Sequence, residues 1–216
     1  MDLNLRDAAK ILNVSESTLS RWIKEEGLPA FLINSRYRFN RVDLLEWASH
    51  HNIPAAALYQ APEGRGVPTL ASLLEGNIHY DVPGNDMKTV MTAVAERLPL
   101  ANSRDKALAA QALADREAKG STVIGDGVAI PHVRSPLIFG VDRPLLTLCF
   151  LAETVPFEPE GRSPVGVVFA LVSPTIRAHL TLLANVSAAL HDDAFRRLLG
   201  RRAPEAEILV HLRSRA

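Results

Sequence analysis

Cysteine is almost absent from this chain of 216 residues: Cys149 stands alone, so no disulfide can form within it. It falls in the strand-like run Leu145-Leu146-Thr147-Leu148-Cys149-Phe150-Leu151, which predicts a buried packing residue. Aromatic residues make up only 6% of the chain, and no stretch of about 18 apolar residues free of charge exists. A membrane-spanning helix is therefore excluded. No Cys/His cluster has the spacing of metal ligands, and Gly125-Asp126-Gly127 is too short for a nucleotide-cradling loop. No metal and no bound cofactor are expected. Neither sign of charge is in excess, with 24 Lys and Arg against 24 Asp and Glu. The start, Met1-Asp2-Leu3-Asn4, lacks the pattern of a secretory leader, and a cytoplasmic protein is expected.

What is present is apolar patterning, at 47% of the residues, enough for one small and one medium core. A composition break with Pro54, Pro62, Gly64 and Gly66 suggests a linker over 52–67, between domains at 1–51 and 68–216. Residues 53–60 could still continue as a helix. In the larger part, Met87, Val90, Met91, Val94 and Leu98 form one stripe of a helix over 86–98, capped by Asp86. A second helix is expected over 103–119, stopped by Gly120. Strands are expected over 145–151 and 165–172, and another helix over 175–191. This alternation predicts an α/β sandwich, its sheet flanked by helices.

The stretch from Gly120 to His132 carries the chemistry. Val128-Ala129-Ile130 reads as a short buried strand, and Pro131 presents the imidazole of His132 at its end. A histidine so placed can act as nucleophile or base, or can merely bond the backbone. Arg116 lies 16 residues earlier, in Ala114-Asp115-Arg116-Glu117, and His179 lies 47 residues later, before an apolar helical run. Alone, Arg116 could cap carbonyls at a helix end and His179 could be structural. The other histidines match no motif.

Arg-Glu, then Gly-Ser-Thr, then Ile-Gly-Asp-Gly-Val-Ala-Ile-Pro-His, then a distant His-Leu, resembles the IIA domain of the fructose/mannitol class of the bacterial phosphotransferase system, its nitrogen-related branch included. The likeness runs from about Pro68 to the C-terminus. It implies a mixed sheet, phosphorylation of His132 by an HPr-like phosphocarrier, and His179 and Arg116 beside the phosphate. Such a protein is a phosphohistidine carrier rather than an enzyme turning over a small molecule. A neutral imidazole suits the acceptor, and a fork-shaped guanidinium suits the phosphoryl oxygens. The family usually follows this histidine with a small residue, whereas here Val133-Arg134 follows, a β-branched neighbour that could slow transfer.

The first fifty residues carry a second pattern. Ala8, Ala9, Ile11 and Leu12 give a short helix an apolar face, Asn13 breaks it, and Ser15 caps the next. Leu19, Trp22 and Ile23 face inward on that second helix, leaving Ser17, Thr18, Ser20, Arg21 and Lys24 outside. Residues 31–40 alternate and turn at Asn34-Ser35, a two-stranded wing with Arg36 and Arg38; a third helix is expected over 41–51. The segment resembles the MerR/excisionase family of winged helix-turn-helix domains. That implies a recognition helix over 15–25, with Ser15, Ser17, Thr18, Arg21 and Lys24 facing DNA and the wing arginines touching phosphate or minor groove. Residues 1–51 hold seven basic and seven acidic side chains, so one module should bind weakly and a homo-oligomer, a dimer summing two half-sites, is expected. A small domain used for protein contact is the alternative.

The two patterns together suggest a regulator in which phosphorylation alters DNA binding and transcription. A sugar-specific component passing phosphate to a IIB domain, or a module gating a kinase or channel, would be built from the same phosphoacceptor part.

Overall fold

The computed structural model describes residues 3–33, 36–39, 43–44, 47–48, 51, 53, 68–132, 141–157 and 164–215. The chain divides into two compact units, Met1–Arg65 and Gly66–Ala216.

In the first unit, Asn4 caps helix α1 (Leu5–Ile11) reciprocally: its side chain accepts from the Asp7 amide, and the Asp7 carboxylate takes the Asn4 N–H. Leu12 ends the helix, and Asn13 turns the chain at φ 53°. Ser15 caps α2 (Glu16–Glu25) by accepting the Thr18 amide at 3.1 Å. Strands β2 (Phe31–Ile33) and β3 (Arg36–Phe39) pair antiparallel, as the alternation predicts. An unforeseen two-residue strand, β1 (Leu3–Asn4), pairs with the other side of β3, too short to leave a periodic signal. Ala8, Leu12, Leu19, Phe39 and Leu44 are buried together with Trp47. The indole of Trp47 donates to the Glu26 carbonyl at 3.0 Å and packs on Trp22, which ties down the end of α2. Residues 43–44 and 47–48 are helical. The rest of the third helix with Arg41, the turn at Asn34-Ser35, nearly all of the expected linker, and Val133-Arg134 lie outside the described residues.

The second unit is a mixed five-stranded sheet between helices. Its strands are β4 (Ile78–Val82), β5 (Val123–Gly125), β6 (Val128–Ala129), β7 (Leu145–Val155) and β8 (Val165–Val172), in the order β4-β7-β8-β6-β5. The β4/β7 and β6/β8 pairs are parallel; β7/β8 and β5/β6 are antiparallel. Helices α4 (Met87–Arg97) and α5 (Ser103–Ala118) cover one face, through Val90, Met91, Val94, Leu98, Ala109 and Leu113. Against them stand the odd-numbered residues of β7, Leu145, Cys149 and Leu151, and the even-numbered Val168, Ala170 and Val172 of β8. The opposite parity, Phe150 and Phe169 among it, faces the other layer. Phe169 meets Phe195 of α7 (Asp193–Gly200), and Phe150 stacks on Tyr80, whose hydroxyl donates to the Ala203 carbonyl. That second layer also holds α3 (Leu70–Leu74), α6 (Ile176–Leu190) and α8 (Glu205–Arg213).

The helices and strands expected in this unit are present, with β7 running to Val155 instead of ending at Leu151. Its last residues, Ala152 to Thr154, are exposed and polar enough to break the apolar run. Cys149 is fully buried as expected, and burial pushes its thiol up to about 12. Gly125, Asp126 and Gly127 make the β5–β6 hairpin, with φ of 113°, 48° and 71°. At Gly127 a Cβ would stand 2.9 Å from the Pro164 carbonyl oxygen. The glycines there serve a tight turn against a neighbouring backbone. No helix among the described residues is long and apolar enough to cross a membrane.

Candidate active site

The chain leaves β6 at Ala129 and passes through Ile130 and Pro131 to His132, which forms a parallel bridge with Leu171 of β8. The Leu171 amide donates to the Pro131 carbonyl at 3.3 Å. Leu171 belongs to the face turned away from α4 and α5, so His132 points toward α6. His132 is 2% exposed, and its Nδ1 lies 2.8 Å from the Ile130 carbonyl oxygen. A carbonyl only accepts, so in the neutral ring Nδ1 carries the proton and Nε2 keeps its lone pair. The backbone two residues earlier sets the tautomer.

Helix α6 begins at the Thr175 cap, whose hydroxyl accepts the Ala178 amide at 3.1 Å. His179 sits in the first turn and is equally buried, its amide held by the Thr175 carbonyl at 2.9 Å. The rings of His132 and His179 lie 5.1 Å apart, tilted by 45°. The fold thus brings together two histidines that are 47 residues apart in sequence.

Arg116 occupies the last turn of α5, 8% exposed, and its Nη1 donates to the Gly120 carbonyl at 2.6 Å. This bond is the carbonyl cap that its position at a helix end allows. Glu117 beside it, 5% exposed, has a role the sequence reading missed. Its carboxylate accepts the Thr122 amide at 2.9 Å, the Ser121 hydroxyl at 3.0 Å and the Thr122 hydroxyl. The Thr122 carbonyl in turn takes the Ile130 amide at 3.0 Å. A continuous path of hydrogen bonds therefore joins the end of α5 to the strand that carries His132. Glutamate three residues before Gly-Ser-Thr was the available signal: a buried acid followed by hydroxyl residues at a helix stop.

Among the described residues no group of three His, Cys, Asp or Glu side chains could hold a metal ion. Of the other histidines, His211 donates its Nε2–H to the Asp192 carboxylate at 2.6 Å and stacks on Phe195, so its ring braces α8 against the start of α7.

In the first unit, Ser15, Ser17, Arg21 and Lys24 are exposed on or beside α2, and Thr18 is half-buried. The Ser15 hydroxyl lies 2.7 Å from that of Ser17 and 2.8 Å from that of Thr18, a cluster closed on itself at the helix start. Arg21 and Lys24 stand one turn apart beyond it. Arg38 is half-buried on β3, and the side chain of Arg36 lies outside the described residues.

The second unit is a mixed-sheet α/β sandwich with two histidines brought together at the end of a strand, and a helix-turn-helix unit precedes it in the chain. Residues 72–214 match the model of the phosphoenolpyruvate-dependent sugar phosphotransferase system EIIA 2 family, and the chain belongs to that family. Residues 3–52 match a helix-turn-helix domain model. A nitrogen regulatory protein of Pseudomonas aeruginosa is 34% identical over 146 residues, covering 65% of this chain and 90% of that protein. A fructose-specific EIIA component of Haloferax volcanii is 31% identical over 101 residues, covering 45% of this chain and 62% of that protein. Among solved structures, the nitrogen regulatory protein IIA-Ntr of Neisseria meningitidis superposes with a TM-score of 0.55 at 25% identity, covering 66% of this chain and 98% of that one. IIA mannitol of Escherichia coli shares the fold, with a TM-score of 0.54 at 20% identity over 64% of this chain and 96% of that one.

Proposed function

We propose that His132 accepts a phosphoryl group from an HPr-type phosphocarrier, and that its phosphorylation state alters DNA binding by the helix-turn-helix unit. The observation that carries this reading is the ring of His132, whose Nδ1 is committed to the Ile130 carbonyl and whose neighbour is His179. Nε2 is then the nucleophile. It attacks phosphorus in line as the phosphorus–nitrogen bond to the carrier's histidine breaks, and that imidazole keeps the electron pair. Such a transfer needs little covalent work from the protein beyond positioning and charge stabilisation. Arg116 and His179 supply the donors to the phosphoryl oxygens, and the amides opening α6 add a favourable field for the anion.

A phosphate on His132 brings extra negative charge and several strong acceptors. That is enough to move an equilibrium between two packings by a few kcal/mol, and so to change the output of an attached DNA reader. DNA recognition falls to α2, through Ser17, Arg21 and Lys24, with Arg36 and Arg38 on the wing. The protein acts in the cytoplasm as a homo-oligomer. The likeness to a fructose-specific component favours a second reading, a carrier that hands phosphate to a IIB domain. The attached helix-turn-helix unit favours the regulator.

The test is incubation with phosphoenolpyruvate, enzyme I and an HPr-type carrier, followed by intact mass at neutral pH. One acid-labile phosphate on the wild type and none on His132→Ala is the expected result. DNA selected by the dephosphorylated protein is then expected to bind the phosphorylated form with different affinity. Equal affinity of both forms for every DNA would refute the coupling.

A further inference from the structure

One buried polar atom, two residues along the chain from the strand position that bridges to His132, is left over by the fold. Ser173 follows β8 directly, is 1% exposed, and its Oγ has no hydrogen-bond partner among the described residues. Ser20, Ser72, Thr92, Thr181 and Ser214, by contrast, each donate a hydroxyl hydrogen bond to a nearby backbone carbonyl. A buried hydroxyl without a partner is penalised on folding, and native proteins seldom keep one where an apolar residue of similar size would fit.

Its place explains its retention. His132 stands beside Leu171 in the sheet, and Ser173 comes two residues later, on the same face by strand alternation. Pro174 restricts Ser173 to an extended backbone, which pre-sets the direction of its side chain. The chain then runs through the Thr175 cap into α6 and to His179, whose ring returns to lie 5.1 Å from that of His132. Ser173 therefore sits on the segment that links the strand flanking one histidine to the helix bearing the other.

We infer that the Ser173 hydroxyl donates a hydrogen bond to the phosphoryl group transferred to His132, and that this group is its missing partner. The inference rests on the phosphoacceptor role proposed for His132. In the transfer, the bond from phosphorus to the carrier's nitrogen breaks and the bond to His132 Nε2 forms. The Ser173 proton stays on Oγ throughout and bonds one of the spectator oxygens, whose charge it stabilises. Its ligand is a terminal phosphoryl group, in transit or resting on the imidazole.

Phosphorylation of the full chain by labelled HPr-type carrier, measured for wild type, Ser173→Ala and Ser173→Thr, tests this. Loss of one hydrogen bond to a charged group predicts a fall in the transfer rate of about 10- to 100-fold for Ser173→Ala. Ser173→Thr, which keeps the hydroxyl, should recover part of it. The 31P resonance of the phosphohistidine should shift in Ser173→Ala, and its urea midpoint should equal or exceed that of the wild type, because an orphaned hydroxyl has been removed. Wild-type phosphorylation matched by Ser173→Ala within a factor of about two would overturn the inference and leave His132 as acceptor. A slow Ser173→Ala with a lowered midpoint and no recovery in Ser173→Thr would mean a packing role, and would overturn it too. No phosphate on the wild type from any carrier would remove both the acceptor reading and this inference.

Discussion

Replacing Glu117 with alanine should unfold the larger unit at markedly lower denaturant, although Glu117 is a charged residue at a helix end. Its carboxylate is the acceptor for the Thr122 amide, the Thr122 hydroxyl and the Ser121 hydroxyl. Thr122 is 2% exposed, so water cannot replace the carboxylate there. Two orphaned buried donors cost about 1–3 kcal/mol each, and breaking a buried charged pairing costs about 3–5 kcal/mol, so a loss of about 3–5 kcal/mol is expected. Glu117→Gln keeps the shape and one carbonyl oxygen, and the Thr122 hydroxyl can turn to accept from the new amide; about 1–2 kcal/mol is expected. The chain supplies its own probe, because Cys149 is the single thiol and lies in the core of this unit. Labelling of Cys149 against urea reads unfolding there, while Trp22 and Trp47, the two tryptophans, report the first unit by fluorescence. With a urea slope of about 2 kcal/mol per molar, the labelling midpoint of Glu117→Ala should fall by about 1.5–2.5 M and the fluorescence midpoint should stay. A labelling midpoint within about 0.3 M of wild type would refute the assignment of Glu117 as the anchor of this loop.

Gly127→Ala forces φ of 71° on a residue with a Cβ and brings that atom to 2.9 Å from the Pro164 carbonyl, so a loss of about 1–3 kcal/mol is expected by the same labelling assay. His79 has its pKa lowered below 6.5, first by burial and then by the Arg97 charge, with Glu205 opposing. The unfolded chain therefore takes up the proton more readily, and the stability linked to His79 is complete above pH 6.5 and lost as pH falls through the lower folded value. Urea midpoints at successive pH values should drop below 6.5 less steeply in His79→Gln, and identical slopes would count against this account. For DNA binding, Arg21→Ala and Lys24→Ala should each reduce the slope of log affinity against log salt by about 1, as loss of a phosphate contact does; unchanged slopes would move recognition off α2.

Local signals made much of this protein readable. The stripe of Met87, Val90, Met91, Val94 and Leu98 and the cap at Asp86 specify α4 within their own turn of chain, and Asn13 and Ser15 do the same for the break between α1 and α2. Apolar runs over β7 and β8 marked the centre of the sheet because those strands are buried on both faces. The histidine motif and its distant partner were legible for another reason: their residue types and order match the pattern of the family to which the chain belongs. Short elements escaped. β1, β4 and α7 span 2, 5 and 8 residues, too few for a periodicity to rise above chance, and they take their shape from what they pack on.

Packing also decided which polar groups matter. Sequence alone determined that a helix-turn-helix unit and a IIA-like unit share this chain, and it singled out His132, His179 and Arg116 as candidates for one site. It could not tell that Glu117 is buried under Thr122, that Arg116 reaches the Gly120 carbonyl, or that His211 pairs with Asp192. Nor could it separate Ser173 from the other serines, since a hydroxyl is ordinary until the fold buries it with no partner among the described residues. Those properties are made by residues distant along the chain arriving at one place, and only the tertiary structure brings them there.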